Sequence, residues 1–368
     1  MFDEVGIHAR AIGRRARGRS RKLLGRSLAW LLRTPATAGR LEPGSIRRVL
    51  ICRTNRRMGN TLFLTPLIDA IAEQFPGATV DLLVAYAPAP ELLRGLPGVN
   101  RVFVMPDKGP SRLRRRIRMM RNLREQSYDL VIDPVLRSTS GRIVLSLAKA
   151  PLRLGFAGED QWAPLTHAVP VEKGRLHDAE SPVYLLMSAL GRDFEPGTTK
   201  LRVALDDSEL RAGEQAVRRC IGAGPAVDVP QKVFGFFVDA TGRKKLDRSW
   251  WKAFITELKK LNPAAAFVEI LPSKDTAPLE ADIPALHFSS LRDLAAAMSA
   301  MSCFISADAG PMHLASAVVP TVALFNVTDP RQYRPLKPED LVIDVDQTRP
   351  EAAAAMVSNR QIDGPAIE

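Results

Sequence analysis

The segment Asp308-Ala309-Gly310-Pro311-Met312-His313 has the composition of a phosphate-binding turn. Gly310 lets the backbone come close to a ligand. Pro311 suits the first turn of a helix, where its missing N–H is no loss, and the free N–H groups beside it suit a diphosphate. His313 lies one helical turn further along, either as a ligand contact or as a packed helical histidine. A second turn, Arg53-Thr54-Asn55-Arg56-Arg57-Met58-Gly59-Asn60-Thr61, combines a glycine with three arginines. Its backbone N–H groups, the dipole of the helix it opens, and Arg53, Arg56 and Arg57 all favour an anion.

Both turns follow short apolar runs, and these runs set the architecture. Val49–Cys52, Val80–Val84, Val102–Val104 and Asp129–Asp133 alternate with helix-length stretches, which predicts parallel strands joined by crossover helices. The pattern resumes with Val233–Val238, Ala266–Leu271, Cys303–Ser306, Thr321–Phe325 and Leu341–Ile343. Two doubly wound α/β domains follow, at residues 47–205 and 231–345. Gly222-Ala223-Gly224-Pro225 suggests a linker over 206–230, with a tail at 346–368. Ligands of open parallel sheets bind beyond the carboxyl ends of the strands, so two facing sheets predict a cleft with one ligand half from each.

A chain of 368 residues, 46% hydrophobic, is long enough for two domains of the usual size. Cys52, Cys220 and Cys303 are far apart, with no CxxC spacing or His-rich partner, so neither a disulfide framework nor a zinc site is expected and a reducing cytoplasm fits best. No apolar run approaches bilayer-spanning length, which predicts a soluble or peripheral protein.

The net charge of +12 is unevenly placed: twelve Lys and Arg against Asp3, Glu4 and Glu42 give residues 1–48 a charge of +9. Within an arm at 1–46, Leu24, Leu28, Leu31 and Leu32 recur at helical spacing amid Arg21, Lys22, Arg26 and Arg33. That pattern fits a basic amphipathic helix on an anionic membrane at the inner face; a solvated arm, a helix docked on its own domain and a transit peptide are the alternatives. A second basic helix is expected at Arg112–Arg124, where Leu113, Ile117, Met120 and Leu123 sit among seven arginines. It reads as a solvated crossover helix or as a contact for anionic lipid or a phosphorylated acceptor. The basic segments lack interleaved aromatics, which argues against nucleic acid.

Several stretches taken together resemble glycosyltransferase family nine, the bacterial lipopolysaccharide heptosyltransferases. They are Met58–Pro66, Leu152–Phe156, His177–Gly191 and, most specifically, Ser306–Pro330. The resemblance implies a GT-B architecture of two facing Rossmann-like domains, with the acceptor on the N-terminal one and ADP-heptose on the C-terminal one. It also implies inverting transfer without a metal or other cofactor. Carried over by position, Asp308, Ala309, Gly310 and His313 match donor-site residues, Ala309 standing where Thr or Ser is common. Thr241 and Lys244 or Lys245 match the phosphate contacts, and Leu271–Asp275 matches a nucleotide-facing loop. A cation beside the departing diphosphate would do the work of a metal. Arg53, Arg56, Arg57 and Gly59 fall on the acceptor side, for a glycolipid or saccharide acceptor.

One departure bears on mechanism. Gly59-Asn60 stands where the family usually has Gly-Asp, and that Asp is regarded as the catalytic base. A neutral amide cannot take the acceptor proton, so Asn60 can only orient the acceptor. Asp133, Asp308 and His313 are the alternative bases, Asp133 reading equally well as a helix cap before Pro134; an acceptor oxygen already ionised would need none. Three functions therefore stay open: a glycosyltransferase, a nucleotide-sugar epimerase of the same architecture, and a binding homologue without catalysis.

Overall fold

The computed structural model describes residues 39–106, 109–136, 138–157, 165–170, 176–223 and 232–360. The amphipathic pattern at Leu24–Arg33 lies outside these residues. Twelve strands are described: β1 Arg48–Arg53, β2 Thr79–Val84, β3 Val99–Val104, β4 Leu130–Asp133, β5 Leu152–Ala157 and β6 His167–Pro170, then β7 Val233–Phe237, β8 Ala266–Ile270, β9 Ala285–Leu286, β10 Cys303–Ala307, β11 Thr321–Phe325 and β12 Leu341–Asp344. They form two six-stranded parallel sheets, ordered β3-β2-β1-β4-β5-β6 and β12-β11-β10-β7-β8-β9. Read from its own first strand, the second sheet has the order of the first. Each sheet reverses winding once, between β1 and β4 and between β7 and β10, and those reversals open the crevices where ligands of such sheets bind.

The central strands are apolar because both faces are covered. On one face of the first sheet, Val49, Ile51, Leu82 and Ile132 pack with Leu67 and Ile71 of the helix Thr65–Gln74 and Leu185 of the helix Ser181–Ala189. On the other, Leu50, Cys52 and Val131 pack with Met119 and Leu123 of the helix Arg112–Glu125 and Val144 and Leu145 of the helix Thr139–Leu147. One further apolar cluster runs through both halves, joining Leu62, Phe63 and Leu92 to Met298, Leu314 and Ala315.

The structure adds an observation at each of three expected boundaries. Much of the span read as linker is the helix Asp207–Cys220, opened by a reciprocal capping box between Asp206 and Glu209. It packs on the helix Leu291–Ser299 of the second half; Gly222, at a φ of 72°, follows its end, and Gly224 and Pro225 lie outside the described residues. The tail carries the helix Pro350–Ser358, whose Ala353, Ala354 and Val357 are buried with Trp251 and Phe254. The last residues of the arm are part of the first domain: Leu41 and Ile46 are buried in its core, and the Leu41 N–H donates to the Ala189 carbonyl at 2.9 Å. Among the described residues no helix is long and apolar enough to cross a membrane.

Candidate active site between the two sheets

The strand-end loops at both reversals face one another across a cavity of about 340 Å³. Arg57, Met58, Gly59, Asn60 and Phe63 line it from the first half. Opposite stand Thr241 and Lys244 after β7, and Asp308, Ala309, Gly310 and His313 after β10. Thr328 and Tyr333, from the stretch after β11, complete the wall. Residues read as donor-side and acceptor-side from sequence thus meet in a single cleft. The loop 271–275 does not line it.

Asp308 follows β10 and is buried. It accepts an ion pair from the Lys244 ammonium at 2.5 Å and a hydrogen bond from the Thr328 hydroxyl. The Lys244 ammonium also lies 5.9 Å from the centre of the Tyr333 ring. Of the two lysines expected here, Lys245 turns away, pairing with Asp239 at 2.7 Å outside the cavity. The helix Gly310–Val318 starts from Ala309, whose backbone is extended and whose methyl offers no side-chain cap. Its first turn, with Pro311 at the second position, lines the cavity through Gly310 and His313, and the free N–H groups of a helix start suit a diphosphate.

His313 is buried. Burial pushes its pKa down to about 4, with Lys244 acting in the same direction and Asp308 against it. The imidazole is therefore neutral near pH 7, a hydrogen-bonding group rather than a counter-cation for phosphate. Phe63 meets it edge-on at 4.8 Å and meets His177 edge-on at 5.4 Å. Gly59 is fixed by this contact: a Cβ placed there would lie 2.5 Å from His313 Cδ2. The turn of the first half and the helix of the second thus touch directly, through a glycine and an imidazole.

On the acceptor side Arg53 is buried, its pKa lowered to about 10 by desolvation while Asp178 and Asp133 oppose the shift. It remains a cation, and its Nη2 donates to Asn60 Oδ1 at 3.1 Å. With one lone pair of Oδ1 engaged, the Asn60 amide still has its NH₂ donors for a ligand, as an orienting role requires. Arg56 and Arg57 are exposed, and Arg57 alone of the two lines the cavity. Asp133 does not line it. It has no exposed surface, pairs with buried Arg142 at 3.3 Å, and accepts from the Val135 N–H at 3.2 Å. Burial raises its pKa to about 6, with Arg142 opposing. Nor does it cap the next helix, since Ser138 does so by accepting from the Gly141 N–H at 2.9 Å.

The junction behind the cavity has no local signal of its own in the sequence. His177 Nε2 contacts the Arg334 carbonyl at 3.0 Å, and the Asp178 N–H donates to the Gln332 carbonyl at 3.1 Å. Asp178 is half-buried, its carboxyl raised by desolvation against the pull of Arg53. Its only signal was membership of the stretch His177–Gly191. Thr328 shares the signal of the stretch Ser306–Pro330, and Tyr333 carries none, because it reaches the site by the folding-back of the segment after β11.

Two facing parallel sheets of identical order, with a cation, a carboxylate and a helix start opposite a polar turn, define a two-domain α/β protein of GT-B architecture. The sequence profile of the family described as glycosyltransferase family 9 (heptosyltransferase) matches residues 116–360. The chain belongs to that family, and it is a heptosyltransferase-like glycosyltransferase. It is 23% identical over 300 residues to lipopolysaccharide heptosyltransferase 3 of Escherichia coli K12, spanning 76% of this chain and 83% of that one. Its fold is similar to that of a family 9 glycosyltransferase from Veillonella parvula, at a TM-score of 0.70 and 17% identity over 83% of this chain and 88% of the other. It is also similar to the fold of the E. coli heptosyltransferase WaaC solved with ADP, at a TM-score of 0.64 and 19% identity over 84% and 98%.

Proposed function

We propose that the chain moves a heptose from an ADP-heptose donor to a saccharide of the lipopolysaccharide core, at the inner membrane face, with inversion and without a metal. The observation that carries this reading is the pairing across one cavity of Lys244, Asp308 and the Gly310 helix start with Asn60 and Arg57. The donor diphosphate lies against Lys244, Thr241 and the N–H groups around Gly310, where the charge that develops on the leaving oxygen is stabilised by fixed donors. Lys244 turns from Asp308 to the phosphate as the donor enters, which frees the Asp308 carboxylate. Asn60, oriented by Arg53, donates to the acceptor hydroxyl oxygen as that oxygen attacks the anomeric carbon. The bond from that carbon to the diphosphate breaks, ADP leaves with its electrons, and the hydroxyl proton passes to Asp308. The nucleotide-sugar epimerase reading falls with the family membership.

The test is to incubate the purified chain with ADP-heptose, with and without lipopolysaccharide-core acceptor, in chelator, and to measure ADP release and the configuration of the new linkage. ADP release that depends on acceptor, with an inverted product, is expected. Donor binding without turnover would instead make the chain a binding homologue.

A further inference from the structure

The helix Arg112–Glu125 carries seven arginines against one glutamate, a net charge of +6, on the face of the first sheet away from the helices Thr65–Gln74 and Ser181–Ala189. Met119 and Leu123, one turn apart, anchor it to the sheet beside Val144 and Leu145. The same helix exposes two large apolar side chains that no packing requires: Leu113 at 69% and Ile117 at 53% of their surface, also one turn apart. The neighbouring helix Thr139–Leu147 repeats the arrangement, with Ile143 at 38% and Leu147 at 41% exposed. Arg114, Arg118 and Arg121 line a shallow groove around Ile117.

A crossover helix that only covers a sheet has no use for leucine and isoleucine in water, and a purely solvated basic helix has no use for apolar stripes. The two together match a surface resting on an anionic bilayer, where apolar side chains enter the headgroup boundary and arginines meet lipid phosphates. We propose that the paired helices 112–125 and 139–147 form a docking face for anionic phospholipid, with Leu113, Ile117, Ile143 and Leu147 entering the interface and Arg114, Arg118 and Arg121 on the phosphates. Charge complementarity selects this occupant: with Arg142 buried against Asp133, Glu125 is the acidic residue of the two helices. No residue of this docking face lines the cavity, so lipid binding can be lost with the transfer reaction intact.

Full-length protein is mixed, without donor, with vesicles of phosphatidylcholine alone or with about one part in three phosphatidylglycerol, and binding is measured by co-sedimentation alongside hydrogen exchange of residues 112–125. Binding to the anionic vesicles only, with slowed exchange along this helix, is expected. The variants Arg114→Gln/Arg118→Gln/Arg121→Gln and Leu113→Ser/Ile117→Ser should each weaken that binding about ten-fold or more. Their substituted side chains are at the surface, and an unchanged melting temperature verifies that the fold is kept. Parental binding by both variants, or exchange along 112–125 unaffected by anionic vesicles, overturns the proposal. Slowed exchange with lipid-free core oligosaccharide and none with vesicles overturns it in favour of a saccharide phosphate.

Discussion

His313 illustrates how one buried side chain couples the site to stability. Its pKa of about 4 lies well below the ordinary 6.5, so between those values the unfolded chain binds a proton that the folded chain refuses. Stability is full above about pH 6.5, falls as pH drops through that window, and levels off below about pH 4. The loss amounts to about 3 kcal/mol at most. His177, pushed down to about 3 by burial with His313 adding to it, extends the trend to lower pH. Urea midpoints measured from about pH 7 to about pH 4.5 should therefore decline, and more shallowly in His313→Asn; parallel profiles would show that the imidazole is not the source. Asn60 supports a second prediction. An acid there would form an ion pair with Arg53, now its hydrogen-bond donor at 3.1 Å, and would be able to take a proton. Steady-state assays of Asn60→Asp should give kcat equal to or above the parent, whereas complete inactivation would mean that the amide has a role an acid cannot fill.

The elements that hold these residues depend on close helix contacts. Gly213 sits inside the helix Asp207–Cys220, where glycine is about 1 kcal/mol worse than alanine. A Cβ there would lie 2.2 Å from the Ala296 backbone carbon of the helix Leu291–Ser299. The backbone clash outweighs the helix preference, so Gly213→Ala should lower the melting temperature, by about 1–3 kcal/mol of stability; a stabilised variant would show that the two helices are not in this contact. Arg292, at the start of the second helix, fastens the same junction. Its guanidinium binds the Glu209 carboxylate at 2.6 and 2.5 Å and the Ala204 carbonyl at 2.5 Å. Glu91 of the first half accepts from Ser290 and from the Arg292 N–H, so the two halves meet at this corner too.

At the scale of the whole molecule, much of the fold was legible because parallel strands buried on both faces read as unbroken apolar runs. Val49–Cys52 and Thr321–Phe325 are of this kind. β5, β6 and β9 lack that signal: Arg153 and Gly155 interrupt the first, His167–Pro170 is a short edge, and Ala285–Leu286 is two residues long. The helix Asp207–Cys220 is poorly legible because polar residues dominate it, although Asp206 and Glu209 have the spacing of a capping box. In the site, the turns around Gly59 and Gly310 carried local signals of glycine, proline and charge. Neither the choice of Lys244 over Lys245 nor the enclosure of Asp133 by Arg142 could be read locally, since each depends on the direction of a side chain after folding. Tyr333 enters only through the packing of a distant segment.

The central claim is that the donor diphosphate rests on Lys244 and the Gly310 helix start, across from Asn60. Calorimetric titration of ADP-heptose into the parent and into Lys244→Ala tests it most directly. Loss of a charge-assisted contact to phosphate should weaken the dissociation constant by about 10- to 100-fold, while Lys245→Ala, outside the cavity, should bind as the parent does. Equal affinity in the parent and Lys244→Ala would contradict the assignment.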